Sequence, residues 1–235
     1  MEIIQIVPKL PPSIDGVGDH ALNLAQELRK RYGIESKFIV CDSTWNGAKE
    51  VEGFRVRVIY SRSNHDLFSS LISTQQQITE RNRSIVLLHY VGYGYATRGC
   101  PGWLASGLKK WKESISDAFI VTMFHALYAF GPPWTSSFWL SWSQRRIARQ
   151  IGKLSDLVIS NRKNYAEKLS AWGISKGKSI PVLPIFSNIG EPITIKPLAE
   201  RKRRLIVFGR NRLIVYTKLR SKLVQICQLF RIKAI

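Results

Sequence analysis

Residues 2–28 read EIIQIVPKLPPSIDGVGDHALNLAQEL. The opening EIIQIV (2–7) is a short apolar run of the kind that forms a buried strand. Pro11 and Pro12 follow, then Gly16-Val17-Gly18, then Asp19-His20 at the mouth of a helical pattern. That pattern, DHALNLAQELRKRYG (19–33), places Ala21, Leu24, Ala25 and Leu28 at helical spacing and stops at Gly33. Strand, glycine turn and helix together make the first unit of a wound α/β sheet.

The same alternation continues down the chain. SKFIVC (36–41), FRVRVIY (54–60), SIVLLHY (84–90), DAFIVTMFH (117–125), SDLVISN (155–161) and SIPVLPIF (179–186) read as strands. Helical patterns lie between them at 66–80, 103–115, 136–154 and 162–172. Such an order predicts an α/β fold: a Rossmann-like parallel sheet with helices on both faces. NIGEPITIKPLAERKRR (188–204) carries Gly, two Pro and a charge cluster, so it reads as a linker. The expected organisation is one domain over 1–190, a linker over 191–203, and over 204–235 the start of a second domain. RLIVFG and VYTKLRSKLVQICQLF would be that start, but one strand and one helix cannot close a core.

The formal charge is +20, and residues 201–235 hold eleven Lys and Arg with no acidic residue. An excess of this size points to anionic partners. No apolar run reaches the length of a transmembrane helix. The N-terminus lacks a basic start and a small-residue cleavage site, so no signal peptide is expected. Cys41, Cys100 and Cys227 are widely spaced without a CxxC, which fits a reducing compartment. The expected location is cytoplasmic, with the basic surface at the inner face of the membrane.

In open α/β sheets, ligands bind beyond the carboxyl ends of the strands. Of the four histidines, His20 lies in the first strand-to-helix turn, His89 ends SIVLLH and His125 ends FIVTMFH. Three imidazoles on one rim predict a pocket. Gly16 and Gly18 offer positive φ and close approach, and the following helix N-terminus suits phosphate or a polar sugar. Asp19 fits equally well as a first-turn residue that complements the helix dipole. The stretch is neither a GxGxxG fingerprint nor a P-loop. No HxH or HxxxH pair presets a metal site, and no GxSxG elbow announces a hydrolase. HALYAFGPPWTSSFWLSW (125–142) is rich in aromatic residues, Tyr128 among them. It reads either as a sugar-stacking wall beside His125 or as a helix face packed on the sheet.

These stretches, together with SDLVISNRKNYAEKLSAWG and IPVLPIFSNIGEP, resemble the N-terminal half of a GT-B glycosyltransferase of the retaining family-4 group. The likeness runs over roughly residues 1–195. It implies a transferase whose N-terminal domain receives a glycan or lipid-linked acceptor and whose C-terminal domain binds a nucleotide-sugar. The nucleotide-sugar is then a co-substrate, and neither a cofactor nor a metal is expected. By the resemblance, Gly16 and Gly18 border the donor phosphate and the acceptor, with Asp19 and His20 beside them. His125 hydrogen-bonds the transferred sugar as the catalytic residue, and His89 and Tyr128 line the acceptor pocket. The family's basic pair and glutamate motif are missing from 204–235, where Arg210 and Arg212 stand outside the usual placement. The expectation is therefore a chain inactive alone, completed by a complementary donor-binding half. The alternative is a basic module that binds an anionic membrane or nucleic acid without catalysis. The tail has no known nucleic-acid module, and the basic amphipathic helix over 214–230 reads as packing on the rest of a second domain, or else as lying on a membrane surface.

Overall fold

The computed structural model describes residues 1–78, 84–175, 177, 179–187, 193–201 and 225. The chain divides into two compact units, Met1–Ile189 and Gly190–Ile235. In the first, the order is β1 (Glu2–Val7), α1 (Gly16–Tyr32), β2 (Glu35–Val40), β3 (Glu50–Val51), β4 (Phe54–Val58), α2 (Asn64–Gln75) and β5 (Ile85–Tyr90). It continues with α3 (Gly92–Tyr95), α4 (Gly102–Ser114), β6 (Phe119–Phe124), α5 (Ser136–Leu154), β7 (Leu157–Ser160) and α6 (Lys163–Ala171). In the second unit the described residues include a single 3₁₀ turn, Leu198–Glu200. Apart from residue 225, the strand and helix expected over 204–235, and with them Arg210, Arg212, Cys227 and the amphipathic 214–230 segment, lie outside the described residues.

The seven strands form one sheet in the order β3-β4-β2-β1-β5-β6-β7. All neighbours run parallel except the short β3, which pairs antiparallel with β4. Without β3, the six parallel strands follow the Rossmann order 3-2-1-4-5-6. The chain winds outward from β1 in one direction, returns, and winds outward from β5 in the other. The α/β class and the Rossmann-like layout expected from the alternation are therefore present.

Side-chain parity explains why both faces are apolar. Ile4 and Ile6 of β1 join Ile39, Val86, Leu88 and Tyr90 in a core under α2 and α4. Val7, Phe38 and Val40, of opposite parity, pack with Ala21, Leu22 and Ala25 of α1 and with Phe54. Burying each large side chain of this kind contributes about 1.5–3 kcal/mol. The two clusters are thus a major source of cohesion.

Several elements differ from the sequence expectation. SIPVLPIF forms no full strand; only Val182 bridges to Ser160. The hairpin partner β3 and the short α3 are additional. The glycine turn is itself helical: Gly16 and Gly18 open α1, and neither has positive φ. Asp15 caps the helix, its carboxylate accepting from the Val17 amide at 3.2 Å. Close approach does hold at Gly18, where a Cβ would fall 2.1 Å from the Lys9 carbonyl oxygen. Nothing lies within 4 Å of the corresponding point on Gly16. Gly33 ends the helix at φ 61°, a left-handed conformation that glycine adopts without strain.

Gly18→Ala is expected to cost at least about 2 kcal/mol, because backbone must move to admit the methyl group. Gly16→Ala is expected to be neutral or to stabilise by up to about 0.5 kcal/mol through helix propensity. Urea unfolding of both variants checks the pair. Equal effects at the two positions would refute the close approach.

Candidate functional site

The winding reverses between β1 and β5, and the three histidines gather at the carboxyl ends of the strands there, where open α/β sheets place their ligand crevice. His89 sits near the end of β5 with its parity toward the face that α1 covers. His20 comes down from α1 onto the same place, and His125 follows β6 directly. Ring centroids are 5.9 Å apart for His20–His89, 5.1 Å for His20–His125 and 5.4 Å for His89–His125. Phe186 stacks on His20 at 4.4 Å. His20 and His89 are buried, while His125 is half-buried and forms the open side of the group.

A line of hydrogen bonds sets the protons. The Gln5 amide donates from Nε2 to the Ser36 hydroxyl at 2.9 Å. Its oxygen faces His89 Nε2 at 2.8 Å, so that nitrogen carries a hydrogen and donates. His89 Nδ1 is then an acceptor, and His125 Nε2–H donates to it at 3.2 Å. This tautomer assignment follows from the orientation of the amide. It leaves His125 Nδ1 with a lone pair. His20 Nδ1 is buried without a partner, and so is Asn161 Oδ1. Asn161 Nδ2 donates to the His125 carbonyl at 3.3 Å. Tyr95 joins the two strands at the crevice, its hydroxyl within bonding distance of the Ile6 and His89 carbonyls at 3.0 and 2.8 Å.

Burial holds all three imidazoles neutral. Burial lowers His20 below its ordinary value. It lowers His89 far below, with the neighbouring His125 and His20 adding to the effect. His125 falls to about 4, through burial first and His20 second. Neutral imidazole is the form that ligates metals, and ring nitrogens of the three lie within 4.8 Å of one another. Nitrogens around a tetrahedral zinc with bonds of ~2.0–2.1 Å stand about 3.4 Å apart. Within that span His89 Nδ1 and His125 Nε2 stand 3.2 Å apart and share a hydrogen bond, and among the described residues no carboxylate belongs to the group.

A hollow of about 360 Å³ opens at the same sheet edge, lined by Pro8, Lys9, Asp15, Asp42, Arg62 and Tyr93 among others. Lys9 and Arg62 both reach Asp42 Oδ2, at 3.3 and 3.7 Å. Partial burial works to raise Asp42, but the Thr44 hydroxyl and amide and the Lys9 ammonium outweigh it and hold the carboxyl below its usual range. Asp15 is raised, chiefly by burial.

Of the residues picked from sequence, His20, His89 and His125 meet. Gly16, Gly18 and Asp19 lie in the first turn of α1 beside them, Gly18 packed against the Lys9 backbone. Tyr128 is engaged differently. Its ring stands 4.4 Å from the Arg145 guanidinium, 5.1 Å from Lys168 Nζ and 6.1 Å from the Trp172 ring, and it packs against the core. This is a structural contact between α5 and α6, made because a half-buried ring between two helices finds cations at both helix surfaces. His65 lies exposed in α2 beside Asp66. Gln5, Lys9, Asp42, Arg62 and Asn161 belong to the site and were not picked from sequence. Gln5 is the polar residue inside an apolar strand. Asp42 and Asn161 directly follow strand runs. Reading every polar strand end, and not only histidines, would have found them.

The fold and the site together define a Rossmann-like α/β protein with a three-imidazole cluster at its topological switch point. No family model matches the chain, and no curated protein is significantly similar to it.

The three histidines bind protons more weakly folded than unfolded, so the unfolded chain takes up more protons once pH falls below about 6.5. Stability is full above that value and is lost as pH drops through the folded value of about 4 for His125. His125→Gln is expected to flatten the decline by about one proton, or roughly 1.4 kcal/mol per pH unit within the window. Urea titrations at a series of pH values measure the slope. A flat profile in the parent protein would mean that the trio is charged or exposed.

Proposed function

We propose that this chain supplies the acceptor-side domain of a sugar transferase of the GT-B type, retaining in outcome. The observation that carries the reading is the convergence of three neutral imidazoles on the crevice of a 3-2-1-4-5-6 sheet, with His20 Nδ1 left unpartnered. A saccharide is dense in hydroxyls, each both donor and acceptor. Such a ligand can give a hydrogen to an imidazole lone pair and take one from an amide.

In this reading His125 touches the transferred sugar. With its Nε2–H committed to His89, its Nδ1 accepts a sugar hydroxyl. Its neutrality keeps a cation away from the anomeric carbon as positive charge develops there. The bond from the anomeric carbon to the nucleotide diphosphate breaks, the acceptor oxygen bonds to that carbon on the same face, and the acceptor proton passes to the departing diphosphate oxygen. Gln5 acts through His89 as a positioning residue. It fixes the tautomer that makes the His125 lone pair available.

Phosphate recognition falls to Lys9 and Arg62, the two cations of a hollow that Asp42 and Asp15 also line. The α1 N-terminus contributes less than expected, because Asp15 already takes an amide there and Asp19 adds a second carboxylate. Nucleotide-sugar and a glycan or lipid-linked acceptor are the partners this reading requires. Turnover in this reading also needs a donor-binding domain.

The test is sugar transfer from a panel of nucleotide-sugars in the presence of a donor-binding domain, with saturation-transfer NMR of the chain by itself. His125→Ala is expected to lower transfer about 10²- to 10³-fold. It should also remove the NMR contact to the acceptor sugar while the helical circular dichroism stays unchanged. Absence of saturable binding for every sugar and nucleotide-sugar overturns the reading.

A further inference from the structure

Helix α5 has two unlike sides. Its buried side is made of Gln144, Ala148, Ile151 and Gly152. The opposite side carries Trp139, Trp142, Arg146, Arg149 and Lys153, all exposed. These positions are spaced i, i+3, i+7, i+10, i+14, which places them on one stripe of the helix. The stripe runs about 21 Å at 1.5 Å per residue. Its aromatic end continues into the preceding loop, where Trp134 is 84% exposed; Trp139 and Trp142 are 73% and 67% exposed. The Arg146 guanidinium lies 5.7 Å from the Trp142 ring.

Three tryptophans left in water beside cations need a partner, because contiguous apolar surface of this kind marks an interaction site. The charge pattern says which. Residues 126–155 contain four Lys and Arg and no acidic residue, so the partner is anionic. The surface is the convex outside of a helix, with aromatics gathered at one end and cations along the rest. Nucleic acid held by stacking asks for a groove that follows the backbone, with rings interleaved among cations. A bilayer surface asks for what is present: indoles that sit at headgroup level, and guanidinium and ammonium groups among the lipid phosphates.

We propose that the outer stripe of α5, together with Trp134, docks this protein on an anionic lipid surface. Trp134, Trp139 and Trp142 enter the headgroup region, and Arg146, Arg149 and Lys153 pair with lipid phosphates. Because α5 runs antiparallel to the strands, its aromatic end lies at the sheet edge that carries the histidine crevice. Docking therefore brings that crevice to the lipid. The proposal stands on the exposed face and does not depend on sugar transfer.

The full chain is floated with phosphatidylcholine vesicles with and without phosphatidylglycerol, at low and high salt. Binding is expected only to the anionic vesicles and is expected to weaken with salt. Arg146→Gln/Arg149→Gln is expected to weaken it about 30-fold, from about fivefold for each cation lost. Trp139→Ala/Trp142→Ala is expected to weaken it about tenfold. Brominated acyl chains should quench the fluorescence of the parent protein and quench the tryptophan variant much less. Thermal unfolding identical to the parent's shows that the variants are folded, as expected for exposed positions. The proposal is overturned if the chain does not float. It is equally overturned if both double variants bind as the parent does, which would assign the binding to the basic tail. Capture of single-stranded DNA without vesicle binding overturns it too. Vesicle binding with no sugar transfer under any condition would sink the transferase reading and leave this one standing.

Discussion

A row of polar side chains crosses the middle of the sheet: Ser36 on β2, Gln5 on β1, His89 on β5 and His125 at the end of β6. The first three are buried and His125 is half-buried, and a buried amide or imidazole left unbonded costs about 1–3 kcal/mol. The four satisfy one another across four adjacent strands, so the arrangement holds only in the observed register. A one-residue slip of β1 would turn Gln5 to the opposite face and bring Ile4 or Ile6 into its place. The row thus ties strand order to site geometry. It pins the strands on both sides of the switch point and sets the direction of every proton up to the crevice.

The covering helices complete that constraint. Gly18 lets α1 lie directly on the Lys9 backbone, which lowers His20 onto His89 and His125. Crowded together under a helix, the imidazoles lose their protons to burial and to one another's proximity. The result is a set of neutral acceptors and donors at a depth where charge would be unfavourable. Beside it lies the opposite environment, a charged hollow where Lys9 and Arg62 stand among Asp42 and Asp15. One rim therefore offers a neutral hydrogen-bonding surface next to a charged one.

The outer surface follows a different logic. An amphipathic helix ordinarily turns its large apolar residues to the core, and on that ground Phe138, Trp139 and Trp142 could have been packed on the sheet. Instead α5 packs through Ala148, Ile151 and Gly152, small or slender residues that bring it close to its neighbours. Gly152 touches Ile174 where a methyl would collide. With close packing achieved on that side, the tryptophans have no room inside. No helix among the described residues is long and apolar enough to cross a membrane. Contact with lipid, on this reading, is a matter of surface chemistry.

The sequence by itself determined the alternation of strands and helices, the parallel sheet, the helix stop at Gly33 and the rim on which three histidines would fall. These follow from local periodicity and from the rule that strand ends face one way in a wound sheet. It left illegible the helical state of Gly16 and Gly18, because a glycine pair at a helix mouth fits a turn or a first helical turn equally well. It also left illegible the loss of a full strand at 179–186, since an apolar run becomes a strand only where a partner edge accepts its hydrogen bonds. Tertiary structure alone decided that Gln5 orders the imidazoles, that Tyr128 is held between two helices, and that the aromatic stripe of α5 faces outward. Each depends on which residues, distant along the chain, come within a few ångströms of one another, and periodicity along one segment carries no record of its neighbours.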